Sequence, residues 1–297
     1  MTGLDRSVAV VGGGPSGLSA AIELRRLGVD RVTVYEREQH AGGIPRHTNH
    51  LGFGVRDLHR MMGGPRYART LIQRAGDAGV ELRVGESVFS IDDLHADAVI
   101  LATGVRERPR SARLVPGDRP AGIFTTGSVQ QLAMAGHRVG NRAVIVGAEH
   151  VSFSAILTLA HAGCRSVAMV TSLPRHQSYA VVKLATASLR RVPVLTGVDV
   201  AEIVGRRHVE RVVLTDGRTI ECDTVVFTGD WIPDNELARR SGLRMDPAIK
   251  GPVVDHEFRT SRDGVFAIGN LVHRVASADR CALDGRTVAA EVVRSIA

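Results

Sequence analysis

The sequence predicts an α/β chain of two three-layer ββα domains, the second inserted into the first, on three observations. The first is Gly12-Gly13-Gly14-Pro15-Ser16-Gly17, a Gly-x-Gly-x-x-Gly run between the apolar Val8–Val11 and a helical pattern opening at Leu18. The second is a repeat, in which strand Arg142–Val146, turn Gly147, helix Ser152–Ala162 and strand Val167–Thr171 restate the first unit about 135 residues on. The third is an echo: Val99-Ile-Leu-Ala-Thr-Gly104 returns as Thr224-Val-Val-Phe-Thr-Gly229. Strands alternating with helices build parallel βαβ units, and two such units here read as Rossmann-like folds.

Each element has its own signal. The first unit is strand 7–11, helix 15–27 and strand 31–36. Residues Ile44 to Gly64, rich in His, Arg and Gly, read as irregular. A helix over Pro65 to Ala78 follows from apolar residues at 68, 71, 72 and 75. Alternation makes Val80–Val84 a strand, and Ala98–Ala102 is a short, fully apolar one. A linker near Ala121–Gly127 opens the second unit. Past Thr171, Val192–Leu195 and Val209–Leu214 with the Asp216-Gly217 turn suggest a small β-meander. The tail, Gly264–Asn270 and a helix from about Arg286 to Ile296, has no βαβ mate nearby and is expected to complete the first domain. The expected division is 1–111 with 246–297, and 112–245.

The first glycine turn fits a dinucleotide. Gly12 permits the turn, Gly14 lets backbone approach a pyrophosphate, and Gly17 lets helix pack on strand. The helix N-terminus faces the phosphates, and the Glu36 carboxylate, nineteen positions after Gly17, accepts from ribose hydroxyls. Composition narrows the classes. Hydrophobic residues are 44% and charged residues 23%, as in ordinary globular domains, and no stretch reaches the roughly 18–20 apolar residues of a membrane span. The first strand begins by Ser7, so no signal peptide is expected and the location is read as cytoplasmic. The net charge of +7 comes almost wholly from dispersed arginines, without aromatic interleaving, which speaks against nucleic-acid binding. Cys164, Cys222 and Cys281 form no Cys-x-x-Cys, so neither a closed zinc site nor a redox dithiol is expected.

In order along the chain, Gly12–Gly17 with Glu36, Ala102-Thr103-Gly104, Thr228-Gly229 and Val265-Phe-Ala-Ile-Gly269-Asn270 resemble the pyridine-nucleotide-disulfide oxidoreductase superfamily. Length places the resemblance with the thioredoxin-reductase-like branch. It implies FAD in the first domain, held by Gly12, Gly14, Pro15, Ser16, Gly17, Glu36, Arg37, Gly43, Arg46, Val88, Ala102, Thr103, Gly104, Gly269 and Asn270. Asn270 stands where the family's last motif ends in Asp: it keeps an acceptor oxygen and loses the charge. The segment Ser277 to Asp284 precedes the last helix, whose N-terminal end would point near the flavin ring. Without a cysteine pair, disulfide chemistry is not expected. In the second turn, Glu149 and Ser152 replace the second and third glycines, which makes NAD(P) doubtful. Gly42-Gly43-Ile-Pro-Arg46-His47 and Gly229-Asp-Trp231-Ile-Pro233-Asp-Asn235 are similar to FAD subunits of opine oxidase, L-proline dehydrogenase and sarcosine oxidase type.

This resemblance implies an FAD-dependent oxidoreductase that takes a hydride from a small amine or amino acid, with a partner oxidoreductase subunit or a second copy of the chain. Two alternatives stand beside it: an NAD(P)H-dependent flavin reductase feeding an acceptor protein, and a non-catalytic flavin-binding subunit. For catalysis, His47 and His50 either accept a substrate proton or shape a loop. Arg46 holds either a substrate carboxylate or an FAD phosphate. Trp231 walls the flavin pocket or packs between domains, and His273 with Arg274 reaches toward the ring edge. Glu149 and His150 read as domain-interface residues.

Overall fold

A computed structural model of the protein describes residues 4–273 and 275–297; Arg274, expected beside His273, lies outside the described residues. Contacts divide the chain into one unit of the residues up to Arg46, Leu51–Arg106 and Ile232–Ala297, and another of His47–His50 and Glu107–Trp231. The chain therefore returns to the first unit at Ile232, ahead of the expected 245/246 boundary. Leu237, Ala238 and Leu243 explain this, because they are buried with Val99 and Leu101 of the first unit.

In the first unit, β1 (Leu4–Val11), α1 (Pro15–Arg26), β2 (Val29–Glu36), α2 (Gly64–Asp77), β3 (Glu81–Val84) and β4 (Ala98–Leu101) form most of an α/β layer structure. Its sheet runs Val265–Ala267, β4, β1, β2, β3, every pair parallel. Alternation assigns the faces. Val8 and Val10 point to the helices, where Leu18, Leu24, Tyr67, Leu71, Val288 and Val292 bury them. Ala9 and Val11 point the other way, onto Leu94, Leu101 and Leu271. Fully burying each large side chain contributes about 1.5–3 kcal/mol.

The second unit has β5 (Ile123–Thr125), α3 (Thr126–Met134), β6 (Arg142–Val146), α4 (His150–His161), β7 (Arg165–Thr171) and β8 (Val194–Thr196). It continues with β9 (Val200–Val204), β10 (Arg211–Leu214), β11 (Thr219–Glu221) and β12 (Thr224–Phe227). Its parallel sheet runs β8, β7, β6, β12, β5, and β9, β10, β11 form an antiparallel meander. Ala143 and Ile145 face the helix residues Phe153, Ile156 and Leu159. Val144 and Val146 face Val200, Ile203, Val212 and Leu214 of the meander. This is a three-layer ββα fold.

Several limits differ from the expected ones. The 121–127 linker contains β5 and the start of α3, whose Thr125 side chain caps Ser128 N. Val192–Leu195 does not join the expected meander: its strand β8 pairs in parallel with β7, and β9 takes the place beside β10. The last helix begins at Ala278, not Arg286: the Ser277 hydroxyl accepts from Arg280 N, and this cap starts α6 (Ala278–Ile296), which follows the short α5 (Glu236–Arg240). Ser277 to Asp284 is therefore the cap and first turns of the helix. Buried Gly285 and Asp284, unusual mid-helix residues, hid that start from the apolar pattern.

A buried acid cluster ties the segment after Phe53 to α6. Asp279 accepts from Gly54 N at 2.7 Å, the Tyr67 hydroxyl donates to Asp57 at 2.8 Å, and Arg286 donates to the Asp57 carbonyl at 2.9 Å. Burial, and then the neighbouring Asp279 carboxyl, push Asp57 up to about 6. An acid with a raised folded pKa contributes stability that is fully present below its unfolded value, about 3.9, and is lost as pH rises through the folded value. Asp57→Asn has no proton to lose. Its melting temperature relative to wild type should rise between about pH 4 and pH 7, and a pH-independent difference would contradict this assignment.

Candidate functional site

The first glycine turn separates what the fold needs from what a ligand needs. Gly12 has φ +111°, and a Cβ there would lie 2.3 Å from the Ala102 carbonyl oxygen. A Cβ on Gly17 would lie 1.9 Å from the Gly12 carbonyl oxygen. Both glycines are required by packing alone. Gly14 is different: its φ is −80°, and nothing lies within 4 Å of a Cβ built on it. The fold tolerates a side chain at Gly14, and the space beside it is open. Behind it α1 starts with Pro15 in its first turn and no side-chain cap. An open approach to an uncapped helix start suits a diphosphate.

Around this start the other expected cofactor residues of the first unit assemble. Glu36 ends β2 and accepts from Gly13 N and Glu38 N, both at 2.9 Å. These bonds fix the carboxylate while leaving each oxygen a further lone pair for ribose hydroxyls. Gly42 N donates to the Gly13 carbonyl at 2.7 Å, and Gly43 lies so near that its Cβ would be 3.0 Å from Gly14 Cα. Arg46 bonds Glu38 and the His40 carbonyl. Arg37 pairs with Asp234 at 2.8 Å, and the Thr103 hydroxyl donates to the Asp234 carbonyl at 2.7 Å. Asp234 N donates to the Gly104 carbonyl at 2.9 Å. Val88 is half-buried against the Val11 and Leu101 layer.

Gly269 and Gly285 close the far side. A Cβ on Gly269 would sit 2.6 Å from Ser16 Oγ, and one on Gly285 2.2 Å from the Ser16 carbonyl oxygen. Asn270 Oδ1 accepts from Ala276 N at 2.7 Å, and its Nδ2 donates to the Ala276 carbonyl at 3.3 Å. The Asn270 amide thus braces the loop that carries His273. There His273 Nε2 lies 3.2 Å from Asp284 Oδ2, and Arg280 Nε lies 3.2 Å from Asp284 Oδ1. Asp284, Asp279 and Asp57 were given no role from the sequence, since isolated carboxylates carry no motif, and Asp234 entered only as part of the Gly229–Asn235 motif.

The other expected catalytic residues fall in the second unit. His47 closes the short 3-10 turn Ile44–His47, His50 precedes a short strand, and Trp231 opens the strand Trp231–Pro233. All three are half-buried. The cysteines are buried, and burial pushes Cys164 up to about 11 and Cys222 and Cys281 up to about 12, away from reactive thiolates. No helix among the described residues is long and apolar enough to cross a membrane.

In the second unit, Glu149 stands at the start of α4. The Ser152 hydroxyl donates to Glu149 Oε2 at 2.6 Å and accepts from Glu149 N at 3.1 Å; Thr228 Oγ1 lies 3.1 Å from Glu149 Oε2. Glu149 is therefore engaged inside its own unit, and His150 Nδ1 lies 2.7 Å from Ser178 Oγ. The turn itself persists. Gly147 has φ +129°, and a Cβ on it would meet Thr228 Oγ1 at 2.0 Å.

Residues 6–285 match the family model described as pyridine nucleotide-disulphide oxidoreductase. The chain is 28% identical over 283 residues to the ferredoxin–NAD(+) reductase subunit of the benzene 1,2-dioxygenase system of Pseudomonas putida, covering 89% of this chain and 66% of that protein. It is 25% identical over 328 residues to an opine oxidase subunit of Agrobacterium tumefaciens, covering 94% and 64%. It thus spans about two thirds of the length of these relatives. The T. acidophilum thioredoxin reductase structure superposes with a TM-score of 0.83 at 24% identity, over 98% of this chain and 100% of that one, which supports the two-domain Rossmann architecture. With a relative named for NAD(+), the comparisons do not support the expected doubt over a nicotinamide cofactor. The chain belongs to the pyridine nucleotide-disulphide oxidoreductase family, within the FAD-dependent oxidoreductases.

Proposed function

We propose that the first unit binds FAD and that the chain takes a hydride from a small amine or amino-acid-type substrate, passing the electrons to a partner oxidoreductase subunit. The observation that carries the cofactor reading is Gly14, a glycine that neither its φ nor its neighbours require, placed at an uncapped helix start. Bound there, FAD supplies hydride-accepting chemistry. The chain's own residues do the rest. The α1 start holds the diphosphate, Glu36 holds the adenosine ribose, and Asn270 keeps the His273 loop closed. His273, with Nε2 turned to Asp284, takes the substrate proton at Nδ1. Arg46, in the same unit, is an anion contact. The similarity to the opine oxidase subunit supports an amine-type donor and a partner oxidoreductase. Three buried, separated cysteines support chemistry other than disulfide reduction. A second reading, an NAD(P)H-dependent flavin reductase feeding an acceptor protein, is favoured by the ferredoxin reductase relative.

Gly14→Val should leave the melting temperature of the FAD-free chain nearly unchanged while weakening FAD binding by about tenfold or more. A variant that keeps its flavin through gel filtration as wild type does would remove the main support for the site. Anaerobic mixing separates the donors. The leading reading expects an amino acid, opine or amine from a panel to bleach the flavin absorbance, with NADH and NADPH slow. Rapid bleaching by a nicotinamide and by nothing in the panel decides for the reductase.

A further inference from the structure

The two glycine turns differ at the helix start: where the first is open beside Gly14, the second carries the side chain of Glu149. At the start of α4 the Glu149 carboxylate is wedged between the Gly147 turn and Gly229, whose Cβ would be 2.4 Å from Glu149 Oε1. Ser152 Oγ and Thr228 Oγ1 lie 2.6 and 3.1 Å from Oε2. Half-buried Arg113 stands beside the turn. Its guanidinium donates to the Thr228 and Gly229 carbonyls at 3.1 and 2.7 Å, and the carboxylates acting on it are Asp230, Glu107 and, less strongly, Glu149. Arg113 also lies over the Phe227 ring, 5.2 Å from its centroid, so packing holds it there. Strand, tight turn and helix are all retained as a dinucleotide fold builds them, while the place of the diphosphate is taken by a side chain of the chain itself. The residues present do not fit a nicotinamide dinucleotide there.

We propose that Glu149 is the specificity-determining residue of the second unit, an internal competitor that holds its affinity for NADH and NADPH low. A diphosphate entering the turn must displace the carboxylate from Ser152 and Thr228, or lie against it and meet like charge. The competitor is covalently attached, so its effective concentration is fixed and it lowers the nucleotide's affinity by a constant factor. Removing it leaves the features that suit a diphosphate: the helix start, the Gly147 turn and the Arg113 guanidinium. This inference rests on the reading that the first unit is the FAD site, because FAD must not be the ligand displaced at the second.

The test is isothermal titration calorimetry of NADH and NADPH into the FAD-loaded protein, for wild type, Glu149→Gly and Glu149→Gln. Wild type should show no saturation below about 1 mM, and Glu149→Gly should tighten at least one nucleotide by about tenfold or more. Glu149→Gln, which removes the charge but keeps the side chain's size and its bond to Ser152, should fall between. It decides the matter alone if the glycine variant does not fold. Micromolar binding by wild type, or variants that bind no better than wild type, would overturn the proposal. Flavin content is read separately from absorbance. A wild-type chain without flavin removes the FAD reading, whereas the ranking of the three nicotinamide titrations judges Glu149.

Discussion

The structure depends on how closely backbone must approach backbone at the start of α1. Ser16 is pressed by Gly269 and Gly285, while Gly12 carries Gly17 on one side and Ala102 on the other. A single methyl at Gly17 or Gly285 would overlap a carbonyl oxygen, and overpacking of this kind costs about 1–3 kcal/mol or more. That constraint brings the end of β1, the Ala102-Thr103 turn, the Gly269 turn and α6 to one place. The space left open is the one beside Gly14. A site whose walls are backbone is rigid by construction, which is what binding a long cofactor in a fixed pose requires.

The second unit shows what happens when the same architecture loses that opening. Its sheet order, its three layers and its Gly147 turn parallel those of a dinucleotide fold. Its helix start is closed by Glu149, Ser152 and Thr228. Half-buried Glu107 does the same for α3, accepting from Gly127 N at 2.7 Å. Burial pushes the Glu107 carboxyl up from its ordinary value. Two helix starts in one unit are thus served by carboxylates of the protein itself.

The fold was legible in the sequence because its signals are local. Apolar runs marked β1, β4, β6 and β12, and glycines marked the turns where φ is positive. What escaped depended on contacts distant in sequence. The start of α6 was hidden because Asp279 and Asp284 look like loop residues until Gly54 N and His273 are seen to meet them. Strand β9 shows only when paired with β10. Within the site, the sequence assigns Gly12 to the turn, Gly14 to the approach of a pyrophosphate and Gly17 to helix packing. The structure adds that Gly12 and Gly17 are demanded by packing and Gly14 is not. The substitution at Glu149 was visible as a departure, but its carboxylate's bonds to Ser152 and Thr228 were not.

A first turn that takes a dinucleotide and a second that is filled from within give different occupancies. Native mass spectrometry of the chain incubated with excess FAD and NADPH counts the occupants directly. One FAD and no nicotinamide dinucleotide per chain are expected. Two dinucleotides on one chain, or a chain that holds NADPH and no FAD, would contradict this.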